Sequence, residues 1–202
     1  MSDRVIIAGG GIGGLATAIG FQRSSATGSP LGTISTADRE ATERQVDAAR
    51  TRSLGIDGLH DYVSPVEEFY EVDVNAINPD LTVDDWRLRV TGAAEEQLTL
   101  DFGDLTSLPR ESRFNTLRCV GEPLNGRLVD TALWTGVPVG TILERAGPSS
   151  DCGCVMLQAA DGYYEEFPLP ALARGLLAFG MNGRLLPRKH GFPLRALVPG
   201  HW

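Results

Sequence analysis

The chain has 202 residues, 42% of them hydrophobic and 22% charged, and its formal net charge is −8. This composition predicts a globular protein with room for one ordinary domain, or for one and a half. The negative charge argues against nucleic acid as a partner, because phosphate neutralisation needs clustered Lys and Arg.

The chain begins with an apolar, glycine-rich segment, residues 1–23, in which residues 5–21 carry no charge. Its length is at the short limit of a membrane-spanning helix, and polar residues flank it. The same stretch contains Gly9, Gly11 and Gly14 in the spacing G-x-G-x-x-G, which is typical of a dinucleotide-binding turn. Two main interpretations follow: a membrane or export segment, or the start of a flavin- or NAD-binding unit.

Residues 24–55 are small, polar and charged, and they predict a linker with one weak helix near residues 37–52. A dinucleotide-binding unit needs a second strand here, ending in an acidic residue about 20 residues past the glycines. Leu31 to Thr36 makes a poor strand, and Asp38 follows it without a clear strand end. The sequence therefore favours the membrane or export segment.

From residue 56 onward, apolar and polar residues alternate between Pro and Gly residues, as expected of short strands and helices. The pattern predicts strands over 86–90, 97–102, 115–120, 155–159 and 194–198, and helices over 102–108, 138–146 and 167–178. Strands and helices are mixed without a regular βαβ rhythm, which predicts an α+β fold.

Three stretches carry an ordered set of motifs: FYEVD to VTG (69–92), NTLRCVG through WTGVPVG to ILERAG (115–147), and ADGYY to MNG, HGFPLR and LVPG (160–200). Together they resemble the molybdopterin-binding domain of the sulfite oxidase family, specifically its prokaryotic molybdopterin-dependent oxidoreductases. The resemblance covers residues 56–202. It implies a mixed-sheet α+β domain that binds a molybdenum–molybdopterin cofactor.

The resemblance implies that Cys119, in TLRCVG, ligates molybdenum directly and is the catalytic cysteine. The chemistry fits independently, because a thiophilic metal prefers a soft thiolate to a carboxylate. Alone, a cysteine at this position would more readily be read as a small buried hydrophobic residue. The surrounding motif makes the metal ligand the better interpretation.

His190 and Arg195, in HGFPLR, match positions at which the family holds the phosphate of the pterin. Arg suits a phosphate because its planar fork donates two parallel hydrogen bonds. Asp161, in ADGYY, matches a residue that contacts the cofactor, although an Asp before Gly also simply favours a turn.

Two further matches concern aromatic residues. Tyr70 and Glu71 match a segment that contacts the pterin largely through its backbone. Tyr163 is predicted near the substrate. Trp134 and the Met181-Asn182 pair are interpreted as packing residues.

The chain also departs from the family pattern. GEP follows Cys119, where relatives often have SNE or SNP, and Leu133 stands before the motif tryptophan, where many relatives have Arg. Because such Arg residues bind anions in sulfite oxidases, Leu133 argues against sulfite as the substrate. The family also continues beyond LVPG into a segment that completes the phosphate site. Since this chain stops at Trp202, the resemblance implies a domain incomplete at its C-terminus.

The resemblance implies transfer of an oxygen atom or of two electrons at a Cys-ligated oxo-molybdenum centre. The partners expected are a small oxo-acceptor or oxo-donor substrate and a separate electron-transfer partner, such as a cytochrome or a membrane haem subunit. Residues 5–21 could attach the protein to a membrane, with the domain outside the cytoplasm. The alternatives are a flavin- or NAD-binding oxidoreductase that uses the glycine motif, and an inactive truncated fragment.

Overall fold

The computed structural model describes residues 5–8, 36–73, 79–123 and 126–201. The strands are β1 Val5–Ala8, β2 Leu88–Gly92, β3 Leu98–Leu100, β4 Glu111–Arg118, β5 Val129–Pro138, β6 Cys154–Gln158, β7 Tyr164–Pro168, β8 Leu176–Met181, β9 Arg184–Leu185 and β10 Arg195–Leu197. The helices are α1 Thr36–Arg50, α2 Phe102–Ser107, α3 Val139–Ala146, α4 Leu169–Leu172 and a 3₁₀ helix, Arg188–His190.

The strands form two sheets, with the orders β3-β2-β1-β6-β7 and β10-β8-β5-β4. In the second sheet, the two-residue strand β9 extends the pairing of β8. The first sheet is mixed, because β1 pairs parallel with β6 and antiparallel with β2. Helices stand beside these sheets without alternating regularly with the strands, so the α+β prediction is confirmed.

Helix α3 shows how the sequence builds the core between the sheets. Its buried residues Val139, Ile142, Leu143 and Ala146 follow the spacing i, i+3, i+4, i+7, which lines one face of a helix. The helix ends at Gly147, whose φ of +60° is the left-handed conformation that glycine adopts readily. The predicted helix over 138–146 is therefore confirmed.

The predicted helix over 167–178 is wrong. The segment instead contains the end of β7, the four-residue helix α4 and the start of β8. All six residues of β8, LLAFGM, are buried. A short run that is apolar on every side cannot be assigned to helix or strand from periodicity, which explains the error.

The first described residues, Val5–Ala8, form β1 inside the first sheet, with Val5 and Ile7 buried. These four residues thus belong to a sheet of the domain, whereas Gly9, Gly11 and Gly14 lie outside the described residues. Dinucleotide-binding sheets are mostly parallel. Among the described strands of this sheet, only the β1–β6 pair is parallel, which argues against the flavin or NAD interpretation.

Helix α1, predicted as a weak helix within a linker, packs on the domain. Its residues Val46 and Ala49 are buried with Val63 and Leu133. Within the described ranges, no helix is long and apolar enough to cross a membrane.

Gly136, the first glycine of WTGVPVG, allows β5 and β8 to approach closely. A Cβ atom at this position would lie 2.3 Å from Leu177 O and 2.7 Å from Ala178 Cα. The strand register also shifts between Thr135 and Gly136. The glycine is therefore needed for backbone contact, and its replacement would force two central strands apart.

We expect Gly136→Ala to lower the free energy of unfolding by about 1–3 kcal/mol or more, because overpacking at a rigid backbone contact costs this much. Urea denaturation measures the change. Gly153→Ala is the matched control, since a Cβ there would meet nothing within 4 Å. Equal stability of the two variants would contradict the close-contact explanation.

Candidate functional site

An irregular segment between α1 and β2, residues 63–73, is called the strap here, and a buried carboxylate of β5 holds it. Asp130, 6% exposed, accepts hydrogen bonds from Ser64 Oγ at 2.5 Å and from the Tyr70 N–H at 2.8 Å. The Ser64 N–H also donates to Thr131 O at 2.9 Å. These bonds fix both ends of the stretch 64–70 against β5.

Asn182 attaches the strap to the turn between β8 and β9. Its Nδ2 donates to Ser64 O at 3.0 Å, and its Oδ1 accepts from the Leu133 N–H at 2.9 Å. Its φ of +49° is one that Asn tolerates better than most residues. The interpretation of Asn182 as a packing residue is thus supported, because its side chain is used to join the strap, β5 and the turn.

The 3₁₀ helix provides a third attachment for the strap. His190 Nε2 lies 3.3 Å from Val66 O, and Lys189 Nζ donates to Glu67 O at 3.3 Å. The His190 ring, 1% exposed, also packs edge-on against Phe69 with 5.3 Å between ring centroids. Burial lowers the pKa of His190 to about 3, with Arg195 and Lys189 adding to the effect, so the ring is neutral at pH 7.

Arg195 is a buried cation behind the strap. It is 9% exposed, its Nη1 donates to His190 O at 3.4 Å, and its guanidinium carbon lies 5.6 Å from the centroid of the Trp134 ring. Burial lowers the pKa of Arg195, while the nearby Tyr70 and Asp73 oppose this shift. The guanidinium nevertheless keeps its charge at all ordinary pH values.

Cys119 lies immediately after β4 and is 7% exposed. Its N–H donates to Leu128 O at 2.9 Å, which holds the residue at the end of the β4–β5 pair. The Cys119 thiol contributes to the electrostatic environment of Tyr70. The pKa of Tyr70 is raised to about 12 mainly by burial, with Cys119 and Asp130 adding to the rise and Arg195 opposing it.

Asp73 connects the strap with two other predicted residues. Burial is the main cause of its raised pKa, Glu71 and Asp161 add to it, and Arg195 lowers it. Tyr70, Glu71, Asp161, Cys119 and Arg195 are thus linked by mutual electrostatic influence, through Tyr70 and Asp73.

Tyr163 forms hydrogen bonds with two residues close to it in the chain, one of which is Asp161. Its hydroxyl donates to Glu165 Oε2 at 3.0 Å, and its N–H donates to Asp161 Oδ1 at 3.0 Å. Burial and the Glu165 hydrogen bond raise the pKa of Tyr163 to about 12. The structure therefore places Asp161 in a turn and also near Asp73, so that both interpretations of this residue fit.

Leu133, which stands where many relatives have Arg, is a core residue under α1. Its side chain is 1% exposed and packs with Val46, Ala49 and Val63 under α1. Trp134, the next residue, packs with Phe69 in another cluster, since successive strand residues face opposite sides. The side chain at position 133 thus lies on the face of β5 opposite to Trp134 and the Arg195 guanidinium.

Sequence reasoning missed Asp130 and Asp73. Asp130 carried a usable signal, because an acidic residue inside the apolar strand VDTALW needs partners if it is buried. Asp73 stands in FYEVD, two residues after the predicted Glu71, and nothing in its spacing singles it out.

The donor set limits which groups the site can hold. In the part of the chain that the structure describes, no three or more His, Cys, Asp or Glu side chains form a cluster that could bind a metal ion. A metal at Cys119 would therefore take most of its ligands from a cofactor, and a pterin dithiolene supplies such sulfur ligands. The buried cation Arg195 suits an anionic group such as a phosphate. The residues present fit a metal–pterin cofactor with a phosphate.

Comparisons with known proteins agree with this fit. Residues 74–202 match the family model of the oxidoreductase molybdopterin binding domain. Over 116 residues the chain is 34% identical to the uncharacterized oxidoreductase YuiH of Bacillus subtilis (strain 168), an alignment that covers 56% of this chain and 57% of YuiH. Over 149 residues it is 34% identical to the mitochondrial sulfite oxidase of Homo sapiens, covering 60% of this chain and 27% of that protein.

A solved structure shows the same fold. The sulfane dehydrogenase SoxCD from Paracoccus pantotrophus aligns with a TM-score of 0.64 and 25% sequence identity, over 70% of this chain and 40% of that chain. The chain thus spans between 27% and 57% of the length of these relatives. The expected sulfite oxidase-type fold is confirmed by this likeness.

The pKa of His190 predicts how stability depends on pH. The folded state keeps this ring neutral down to about pH 3, whereas the unfolded chain protonates it near 6.5. The free energy of unfolding should therefore fall as the pH drops from 6.5 to 3, by up to about 1.4 kcal/mol per pH unit. Asp73, with its raised pKa, acts in the opposite direction, so the comparison with a variant isolates the His190 contribution.

Denaturation at several pH values tests this expectation. His190→Gln should lose the slope, while His201→Gln, at an exposed position, should keep it. Parallel pH curves for wild type and His190→Gln would show that His190 is not buried in its neutral form.

We expect Asp130→Asn to destabilise the fold by about 1–3 kcal/mol, because Ser64 Oγ and the Tyr70 N–H bond different carboxylate oxygens, and one of these becomes an NH2 donor. Hydrogen exchange of the Tyr70 amide should be faster in Asp130→Asn than in the wild-type chain. Asp85→Asn is the control, since Asp85 accepts only an exposed bond from Thr82 and should change stability by less than about 0.5 kcal/mol. Unchanged exchange at Tyr70 would contradict the role given to Asp130.

Proposed function

Because this chain belongs to the oxidoreductase molybdopterin-binding domain family, we propose that Cys119 ligates molybdenum in a centre of the sulfite oxidase type. The domain is an oxidoreductase domain with a molybdopterin cofactor. The ligand, the reaction and the substrate are the parts proposed here.

The observation that carries the proposal is the position of Cys119. Its thiol is buried at the end of β4, within the electrostatic surroundings of Tyr70, and Tyr70 in turn feels Arg195. A soft thiolate is a suitable single protein ligand for a thiophilic metal. Metal binding would also keep the cysteine deprotonated.

Arg195 is the proposed partner of the cofactor phosphate. It is a buried guanidinium that carries its charge into a region where an anion would be strongly attracted. His190 is proposed as a second cofactor contact. Its Nε2 is engaged with Val66 O, so such a contact falls to Nδ1. A neutral His190 also leaves the positive charge of Arg195 directed at the ligand.

The bound cofactor would supply transfer of an oxygen atom or an electron pair to or from a substrate with a lone pair. The chain would bind and orient the reactants. The strap backbone at Tyr70 and Glu71 is the proposed pterin contact, and the protonated Tyr70 hydroxyl can donate a hydrogen bond near Cys119. Asp161 could contact the cofactor through Oδ2, since Oδ1 accepts from Tyr163. Tyr163 could reach a substrate only if its hydroxyl leaves Glu165.

The proposed substrate is a small oxo-acceptor or oxo-donor, such as a sulfite-like or sulfoxide-like molecule. Sulfite stays in this class because Leu133 does not face the site. Electrons would pass singly to or from a separate redox partner. Residues 5–8 form β1, so the prediction of membrane attachment is confined to residues 9–21, which lie outside the described part of the chain. A location outside the cytoplasm is likewise a prediction.

The ligand proposal predicts that Cys119→Ser folds but loses turnover by more than about a hundredfold, since even an outer-shell partner of a metal is worth up to this much. The assay is dye-coupled oxidation of sulfite and reduction of a sulfoxide. X-ray absorption at the molybdenum edge should show one sulfur neighbour fewer.

Cys152→Ser is the matched control, because Cys152 is as buried as Cys119, at 6% against 7%, and lies in the main core cluster. It should keep both the activity and the sulfur count. Full activity of Cys119→Ser, or an unchanged number of sulfur neighbours, would refute the ligand assignment.

A further inference from the structure

The loop that follows Cys119, residues 118–128, is called the cysteine loop here. The bond from the Cys119 N–H to Leu128 O closes its base, one residue beyond the paired Arg118 and Val129. The Glu122 N–H donates to Cys119 O at 3.1 Å, which makes a turn directly after the cysteine. Residues 124 and 125 lie outside the described residues.

Glu122 joins the two arms of this loop. Its Oε1 accepts from the Arg127 N–H at 2.6 Å, on the returning arm. Its backbone oxygen accepts from Arg118 Nη2, on the outgoing arm. The residue thus contacts both sides of the loop through separate groups.

Gly126 makes room for the Glu122 side chain. A Cβ at position 126 would lie 1.5 Å from Glu122 Oε1 and 2.1 Å from its Cδ. The φ of Gly126 is outside the left-handed region, so the backbone itself would accept alanine. The glycine at this position is therefore required by the carboxylate that lies over it. The Glu122 carboxylate can therefore be removed directly, by substitution of Glu122, or displaced by a Cβ atom at position 126.

We propose that Glu122 is a positioning residue for Cys119. By binding the Arg127 N–H over Gly126, it closes the cysteine loop, holds the Cys119 backbone between Leu128 and Glu122, and keeps the thiol covered. Groups that orient a metal ligand commonly control the metal site without touching the metal. This inference rests on the proposed function in taking Cys119 as the ligand, but the contacts that support it belong to the chain alone.

The inference can be tested on the full chain without cofactor, by the alkylation rate of each cysteine with iodoacetamide, followed by peptide mass spectrometry. Glu122→Ala and Gly126→Ala should each raise the rate at Cys119 about five- to tenfold, since a hydrogen bond to a charged group is worth roughly this factor or more. Cys152, equally buried, is the internal reference and should not change.

Glu122→Gln is the matched control, because it keeps an acceptor oxygen for the Arg127 N–H. Its rate at Cys119 should lie between that of wild type and that of Glu122→Ala, because a neutral acceptor keeps part of the bond's stabilisation. Wild-type rates in Glu122→Ala and Gly126→Ala would overturn the inference. An equal rise at Cys119 and Cys152 would also overturn it, since it would mean general loosening.

A spectroscopic readout on the molybdenum-loaded protein separates this inference from the proposed function. If Glu122 positions Cys119, Glu122→Ala should shift the Mo(V) electron paramagnetic resonance spectrum while the number of sulfur neighbours stays the same. An unchanged spectrum would contradict the positioning role. Failure of the metal-ligand assignment would instead appear in Cys119→Ser, and would leave the alkylation result intact.

Discussion

The buried carboxylate of Asp130 is the interaction on which the candidate site depends. A carboxylate at 6% exposure is costly unless its oxygens are bonded, and here one oxygen takes the Ser64 hydroxyl and the other takes the Tyr70 N–H. The strap has no regular secondary structure to satisfy its own backbone groups. The Asp130 carboxylate on β5 therefore gains hydrogen-bond donors, the strap gains an acceptor for a backbone N–H, and the Tyr70 backbone is fixed against β5 as a result.

The charge behind the strap is carried by Arg195, because the neighbouring His190 is neutral. Neutral His190 accepts burial against Phe69 without a counter-ion, whereas Arg195 next to it stays charged. Two adjacent cations in this space would repel each other and the cofactor phosphate would have to neutralise both. A neutral His190 leaves the positive charge at Arg195 alone, so in the proposed site a single guanidinium would attract the cofactor phosphate.

Sequence patterns predicted the elements whose cause is local. Helix α3 follows from its apolar spacing and from Gly147 at its end. Asp101 caps the N-terminus of α2, and its side chain and that of Asp104 each accept a hydrogen bond from the other residue's backbone N–H. Strand β8 could not be predicted, because its two faces are buried in two different core clusters, which residues distant in the sequence complete. Likewise, motifs indicated Cys119 and Arg195, but the role of Asp130 arises only when β5 meets a strap about 60 residues earlier in the chain.

Gly136 and Gly126 illustrate the difference between what a local sequence pattern reveals and what only the folded structure reveals. Gly136 lacks a Cβ because a neighbouring strand occupies that space, and Gly126 lacks one because the Glu122 carboxylate does. Neither needs the left-handed conformation by which glycines are usually recognised in a sequence. Their requirement is tertiary in one case and confined to a loop in the other. Gly136 brings β5 and β8 together, and with them Trp134 and the Asn182 turn, whereas Gly126 affects only the surroundings of Cys119. The candidate site is thus controlled at two levels: the packing of the second sheet decides whether it forms, and, by our proposal, the cysteine loop orients the Cys119 thiol within it.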